Sequence, residues 1–108
     1  PRSRGLGDMY KRQKYMFALI PIKFTVKRNF KPLDTIYLTC YLYNLTSKEL
    51  KFINGVYLHN ITGYYTYYAK IPPEYMLLDP NDFAIIIVIR DNYGETVWFY
   101  VLIEKIEE

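Results

Sequence analysis

Apolar and polar positions alternate with a period of two along most of this chain, the pattern of half-buried β-strands. Seven segments carry it. Residues 16–26 form the first, with Pro21 marking an edge position or a bulge because proline cannot donate to a sheet ladder. Thr35–Asn44 is the second, entered through the turn-like Lys31-Pro32-Leu33-Asp34. Residues 49–53 are the third. Asn54-Gly55 then reads as a two-residue hairpin turn, since both residues tolerate positive φ, and residues 56–61 are the fourth. Gly63 opens the fifth, Tyr64–Ile71, which Pro72-Pro73 ends. A longer connection over residues 74–82 leads to the sixth, Phe83–Arg90. The turn Asp91-Asn92-Tyr93-Gly94 leads to the seventh, residues 95–106. No stretch of ten or more residues holds a helical period.

The same alternation assigns faces. On the second segment Ile36, Leu38, Cys40 and Leu42 fall on one side and Tyr37, Thr39, Tyr41 and Tyr43 on the other. On the sixth, Phe83, Ile85, Ile87 and Ile89 face the core. Ala84, Ile86 and Val88 are apolar too, so this strand is covered on both faces or meets a partner. On the seventh, Val97, Phe99, Val101 and Ile103 alternate with Thr96, Trp98, Tyr100 and Leu102. Short strands punctuated by turns predict an all-β antiparallel domain, a sandwich or a barrel.

The chain has 108 residues, 51% of them hydrophobic, which suffices for one domain and one core. Charge changes the picture only at the N-terminus. The formal net charge is +3, but Arg2, Arg4, Lys11 and Arg12 against Asp8 account for all of it. The segment Asp8 to Gln13 resembles the translation of a transposase-adapter sequence, as found at the ends of reading frames from assembled metagenomic reads. Residues 1–13 are therefore expected to be a non-native or disordered leader, and residues 14–108 a single domain. That domain carries ten basic and ten acidic side chains. A neutral domain gives no ground for expecting nucleic acid, whose phosphates supply most binding energy to basic proteins. Membrane attachment is expected only through a missing N-terminal anchor.

Two stretches resemble the immunoglobulin fold. Asp34-Thr35-Ile36-Tyr37-Leu38-Thr39-Cys40 resembles its second strand, whose Leu-x-Cys pattern puts a cysteine in the core. Asp79-Pro80-Asn81-Asp82-Phe83-Ala84-Ile85 resembles its sixth, with Phe83 in the tyrosine position and Ile85 in that of the second cysteine. The partner thiol, the tyrosine-corner hydroxyl and the core tryptophan of antibody domains are thus missing, with Phe52 the nearest substitute for the last. The run from Gly63 to Pro72, followed by Asp91-x-x-Gly94, is similar to the closing half of immunoglobulin-like modules in prokaryotic and viral surface proteins. The resemblance implies an immunoglobulin-like sandwich of about seven strands in an extracellular, cell-surface or virion-surface protein, serving adhesion, filament, capsid or spacer roles.

Candidate chemistry is sparse. Cys40, the only cysteine, lies on an apolar strand face, where a thiol is inert. His59 is the only histidine, too few for a zinc site built on Cys and His. Asp79, Asn81 and Asp82 precede the sixth strand, and Asp91 and Glu95 follow it. The eight residues between put the two groups about 25 Å apart, too far to share a calcium ion. Turn chemistry explains both groups. Asn44-Leu45-Thr46 and Asn60-Ile61-Thr62 are glycosylation acceptor patterns that matter only in a secreted chain. No catalytic residue, metal site or cofactor is expected, and enzymatic activity is not.

Residues 14–108 hold twelve tyrosines, six phenylalanines and one tryptophan. Tyr37, Tyr41 and Tyr43 share one strand face, Tyr64 and Tyr68 another, and Trp98 and Tyr100 a third. Tyrosine joins a large contact area to a polar tip at low entropic cost, which suits interfaces. These seven residues are the expected binding surface of a noncatalytic surface or adhesion module. Its partner is a protein or a second copy, with a carbohydrate stacked on the Tyr/Trp platforms as the alternative. Cross-strand pairing of tyrosines within an ordinary sheet is the competing explanation.

Overall fold

The structure is a computed structural model and describes residues 18–103. The expected leader, residues 1–13, lies outside the described residues, as do Met16, Phe17 and the last residues of the seventh segment. The elements in chain order are β1 (Ala18–Thr25), β2 (Lys27–Arg28), β3 (Lys31–Pro32), β4 (Thr35–Asn44), β5 (Leu50–His59), β6 (Tyr64–Ile71), a one-turn helix α1 (Pro73–Met76), a 3-10 turn (Pro80–Asp82), β7 (Phe83–Arg90) and β8 (Thr96–Leu102). All strand pairs are antiparallel. One sheet has the order β5-β4-β7-β8, a second pairs β1 with β6, and β2 and β3 form a short hairpin. Among the described residues no helix is long and apolar enough to cross a membrane.

The central strands of the four-stranded sheet, β4 and β7, each bury one face. Ile36, Leu38, Cys40 and Leu42 of β4 and Phe83, Ile85, Ile87 and Ile89 of β7 are buried, on the face that alternation selects. They share one core with Ile22 of β1, Tyr65, Tyr67, Ala69 and Ile71 of β6, and Tyr75 of α1. Each buried Ile or Leu contributes about 1.5–3 kcal/mol of transfer free energy. Phe83 meets Tyr75 edge-on, with ring centroids 5.5 Å apart, and so ties the connection after β6 to the start of β7.

One expected turn is not a turn. Asn54-Gly55 lies inside β5, which runs unbroken beside β4 from Leu50 to His59, so the third and fourth expected segments are one strand. Cys40 pairs with Asn54 and Tyr41 with Phe52, leaving Ile53 as a bulge. Gly55 serves close packing instead: a Cβ there would collide with the Tyr37 hydroxyl. Ten residues of β4 offer a continuous ladder, and that pairing outweighs the local turn preference.

The real reversals use side-chain oxygens. Asn44 Oδ1 accepts from the N–H groups of Thr46 and Ser47 at 2.9 and 3.0 Å, and Asn60 Oδ1 accepts from that of Thr62 at 3.0 Å. Asp79 Oδ1 accepts from the Asn81 N–H at 3.0 Å. Asp91 Oδ1 accepts from those of Tyr93 and Glu95 at 2.8 and 2.9 Å. Asn29 and Phe30 turn the β2–β3 hairpin with φ of 52° and 66°. Gly63 (φ 73°) closes against that hairpin, where a Cβ would lie 2.8 Å from the Val26 carbonyl oxygen.

Candidate interaction surface

The strand registers assemble the outward side of the four-stranded sheet row by row. Tyr57, Tyr37, Arg90 and Thr96 lie side by side across β5, β4, β7 and β8. Gly55, Thr39, Val88 and Trp98 form the next row, then Phe52, Tyr41, Ile86 and Tyr100, then Leu50, Tyr43, Ala84 and Leu102. Tyr37, Tyr41, Tyr43, Ile86 and Val88 are half-buried by their neighbours, while Leu50, Phe52, Tyr57, Trp98, Tyr100 and Leu102 are exposed. Aromatic pairs stiffen the surface. Tyr37 and Tyr57 are tilted at 4.7 Å, and Tyr41 and Phe52 meet edge-on at 5.8 Å. Arg90 carries the one formal charge in these rows, and its guanidinium stands 5.2 Å from the centre of the Tyr37 ring.

Five of the seven expected surface residues therefore come together: Tyr37, Tyr41, Tyr43, Trp98 and Tyr100. Tyr64 and Tyr68 do not join them. They point outward from β6, exposed, on the outer side of the other sheet. There the register sets Leu19 beside Lys70, Pro21 beside Tyr68, Lys23 beside Thr66 and Thr25 beside Tyr64, a surface divided by lysines. Leu50, Phe52 and Tyr57 were not among the expected residues. A hairpin at Asn54-Gly55 hides them, and only the pairing of β5 along all of β4 brings them beside Tyr37 and Tyr41.

Charged groups gather away from this surface. Arg28 Nη1 donates to Asp91 Oδ2 at 2.9 Å and also to Glu95, and its guanidinium lies 4.2 Å from the Tyr93 ring centre. This cluster docks the β2–β3 hairpin on the β7–β8 turn. Partial burial pushes the Asp91 carboxyl up, but the N–H groups of Glu95 and Tyr93 and the adjacent Arg28 outweigh it, and the net shift is downward. Lys51 and Glu74 pair at 3.1 Å and join β5 to α1.

Cys40 and His59 are far apart in the fold. Cys40 points into the core, where burial pushes its thiol up to about 11. His59 is exposed at the end of β5, its Nδ1 3.0 Å from the Thr35 hydroxyl. The buried Tyr67 hydroxyl faces Cys40 and Asn54 without hydrogen-bond geometry to either, and burial raises it to about 12. Among the described residues no three His, Cys, Asp or Glu side chains are grouped to hold a metal ion. Compared with known proteins, the chain matches no family model, no curated protein and no solved structure.

Proposed function

We propose that this chain is an immunoglobulin-like sandwich module, noncatalytic, that acts through protein–protein contacts on the outward side of its four-stranded sheet. The strand pairing supports the fold reading. In immunoglobulin domains the second strand pairs with the fifth, and a C′-C-F-G order makes the opposite sheet. The pairs β1–β6 and the order β5-β4-β7-β8 fit that scheme. In this reading β4 takes the third-strand place, one strand later than the resemblance at Asp34–Cys40 puts it, and β1 takes the second. A surface or adhesion setting agrees with such modules but is part of the proposal.

The observation that carries the functional reading is the composition of the outward rows: aromatic and aliphatic apart from Thr39, Gly55 and Thr96, with Arg90 as their one charge. A contiguous apolar patch of this kind marks an interaction site more often than a solvated surface. Trp98 and Tyr100, two residues apart on one side of β8, also form a stacking platform, and this favours a carbohydrate as the second reading. Cross-linking of the full chain and a glycan array, each run with wild type and with Phe52→Lys/Trp98→Lys, separate the two. Protein cross-links, to itself or to a partner, that the double variant loses support the proposal. Glycan binding lost in Trp98→Ala moves the function to the second reading. Neither kind of binding overturns both.

A further inference from the structure

Exposed sheet edges invite pairing with other chains, and proteins protect them with proline, lysine, glycine or bulges. Among the described residues, three of the four edges of the two larger sheets are protected in this way. β1 has Pro21 and Lys23, β5 has Lys51, Gly55 and the bulge at Ile53, and β6 has Lys70. β8 has none of these. It reads Thr96-Val97-Trp98-Phe99-Tyr100-Val101-Leu102, without charge, proline, glycine or bulge, and it forms the outer edge of the four-stranded sheet.

We infer that β8 pairs antiparallel with the β8 of a second copy, joining two four-stranded sheets edge to edge about a two-fold axis at Phe99. The sequence of β8 is nearly symmetric about that residue. The two-fold register sets Phe99 opposite Phe99, Trp98 opposite Tyr100, and Val97 opposite Val101. These are the apolar and aromatic cross-strand pairs that stabilise antiparallel sheets. No charge lies on the strand, so no like charges meet at the axis, as an isologous contact requires.

The backbone is in phase with this register. The Asp91 N–H donates to the Glu95 carbonyl at 3.0 Å. The antiparallel alternation that starts there turns the N–H and C=O groups of Val97, Phe99 and Val101 toward β7, and those of Trp98 and Tyr100 toward the free edge. Trp98 and Tyr100 are the residues that the two-fold axis sets opposite each other, so each such pair exchanges both hydrogen bonds.

Trp98 and Tyr100 are 62% and 60% exposed and together offer about 250 Å² per copy, given ~150–250 Å² for each aromatic side chain, with Val97 and Leu102 adding a smaller aliphatic area. A standard interface takes ~800 Å² per partner. The dimer is therefore concentration-dependent rather than obligate. It also covers Val97 and Phe99 where they line an apolar groove of about 320 Å³ beside Phe24 and Val26. The inference rests on the reading of the chain as a protein-contact module and names its partner.

Sedimentation velocity of the full chain across the micromolar range tests it, with thermal unfolding to verify that each variant folds. Wild type dimerises. Tyr100→Pro removes a donor from the free edge but none from the β7 ladder, and raises the dissociation constant about tenfold or more. Trp98→Lys, which places like charges near the axis, does the same. Tyr57→Lys on the far strand β5 leaves the dimer unchanged. A wild type that stays monomeric overturns the inference, and so does a dimer that β8 substitutions spare and Tyr57→Lys breaks. The second outcome retains the proposed function, with the outward rows rather than the edge as the contact.

Discussion

The outer sides of the two sheets are built from the same residue types and differ in what breaks them up. On the β1–β6 sheet, Tyr64 and Tyr68 stand among Lys23, Lys70, Thr25 and Thr66, so each apolar side chain is bordered by a hydrated group. On the four-stranded sheet the tyrosines are bordered by Phe52, Ile86, Val88, Trp98 and Leu102, and Arg90 stands at one end. A tyrosine count does not distinguish the two. What does is one lysine on the outer side of each strand, Lys23 and Lys70, which interrupts the apolar surface of that sheet, where the rows of the other carry Arg90 as their single charge.

The largest expected effect comes from the core that supports both outer surfaces. Leu38 is fully buried between the sheets, and Leu38→Ala lowers unfolding free energy by about 2–5 kcal/mol, read by urea denaturation. Both outer sides lose their order together in that variant. Independent melting of the β1–β6 sheet would contradict the single shared core.

Alkaline pH gives the next effect. Burial raises Cys40 from an ordinary value of 9.0 to about 11, and Tyr67 from 10.0 to about 12. Both folded values lie above the unfolded ones, so their stabilisation is complete below pH 9. It is lost as pH rises through the folded values, because the unfolded chain ionises first. Denaturation midpoints should fall steadily from about pH 9 upward, and Cys40→Val should flatten the first part of that decline. A flat profile to pH 11 in wild type would show that the thiol and phenol are not held neutral by burial.

The smallest effects sharpen the comparison directly. Arg90→Ala removes the cation from above Tyr37 and costs about 0.5–1 kcal/mol. Tyr68→Ala, on the lysine-divided side, changes stability by no more than about 0.5 kcal/mol and leaves association untouched. Equal losses of association from Tyr68→Ala and Trp98→Ala would erase the distinction between the two surfaces.

Much of the fold was legible from alternation. Thr35–Asn44, Tyr64–Ile71 and Phe83–Arg90 have the bounds that the pattern predicts, and their buried positions are those that parity selects. The failure at Asn54-Gly55 has a clear cause. Turn preference is local, whereas the partner that keeps β5 straight is β4, and the side chain that packs against Gly55 is Tyr37. Residues that share a surface across strands are likewise set by register, which no single strand encodes. For this reason alternation alone sets Tyr64 and Tyr68 with the other five and omits Phe52 and Tyr57. The turn roles of Asp79 and Asp91 were readable from their own neighbourhoods, because those hydrogen bonds span at most four residues, whereas the pairing of Asp91 and Glu95 with the distant Arg28 was not.

Hydrogen–deuterium exchange of the full chain at low and high concentration reads the β8 contact strand by strand. Raising the concentration adds protection in β8 and its neighbour β7, while β1 and β6 exchange at unchanged rates. Added protection on β1 or β6, or none on any strand, would contradict that contact.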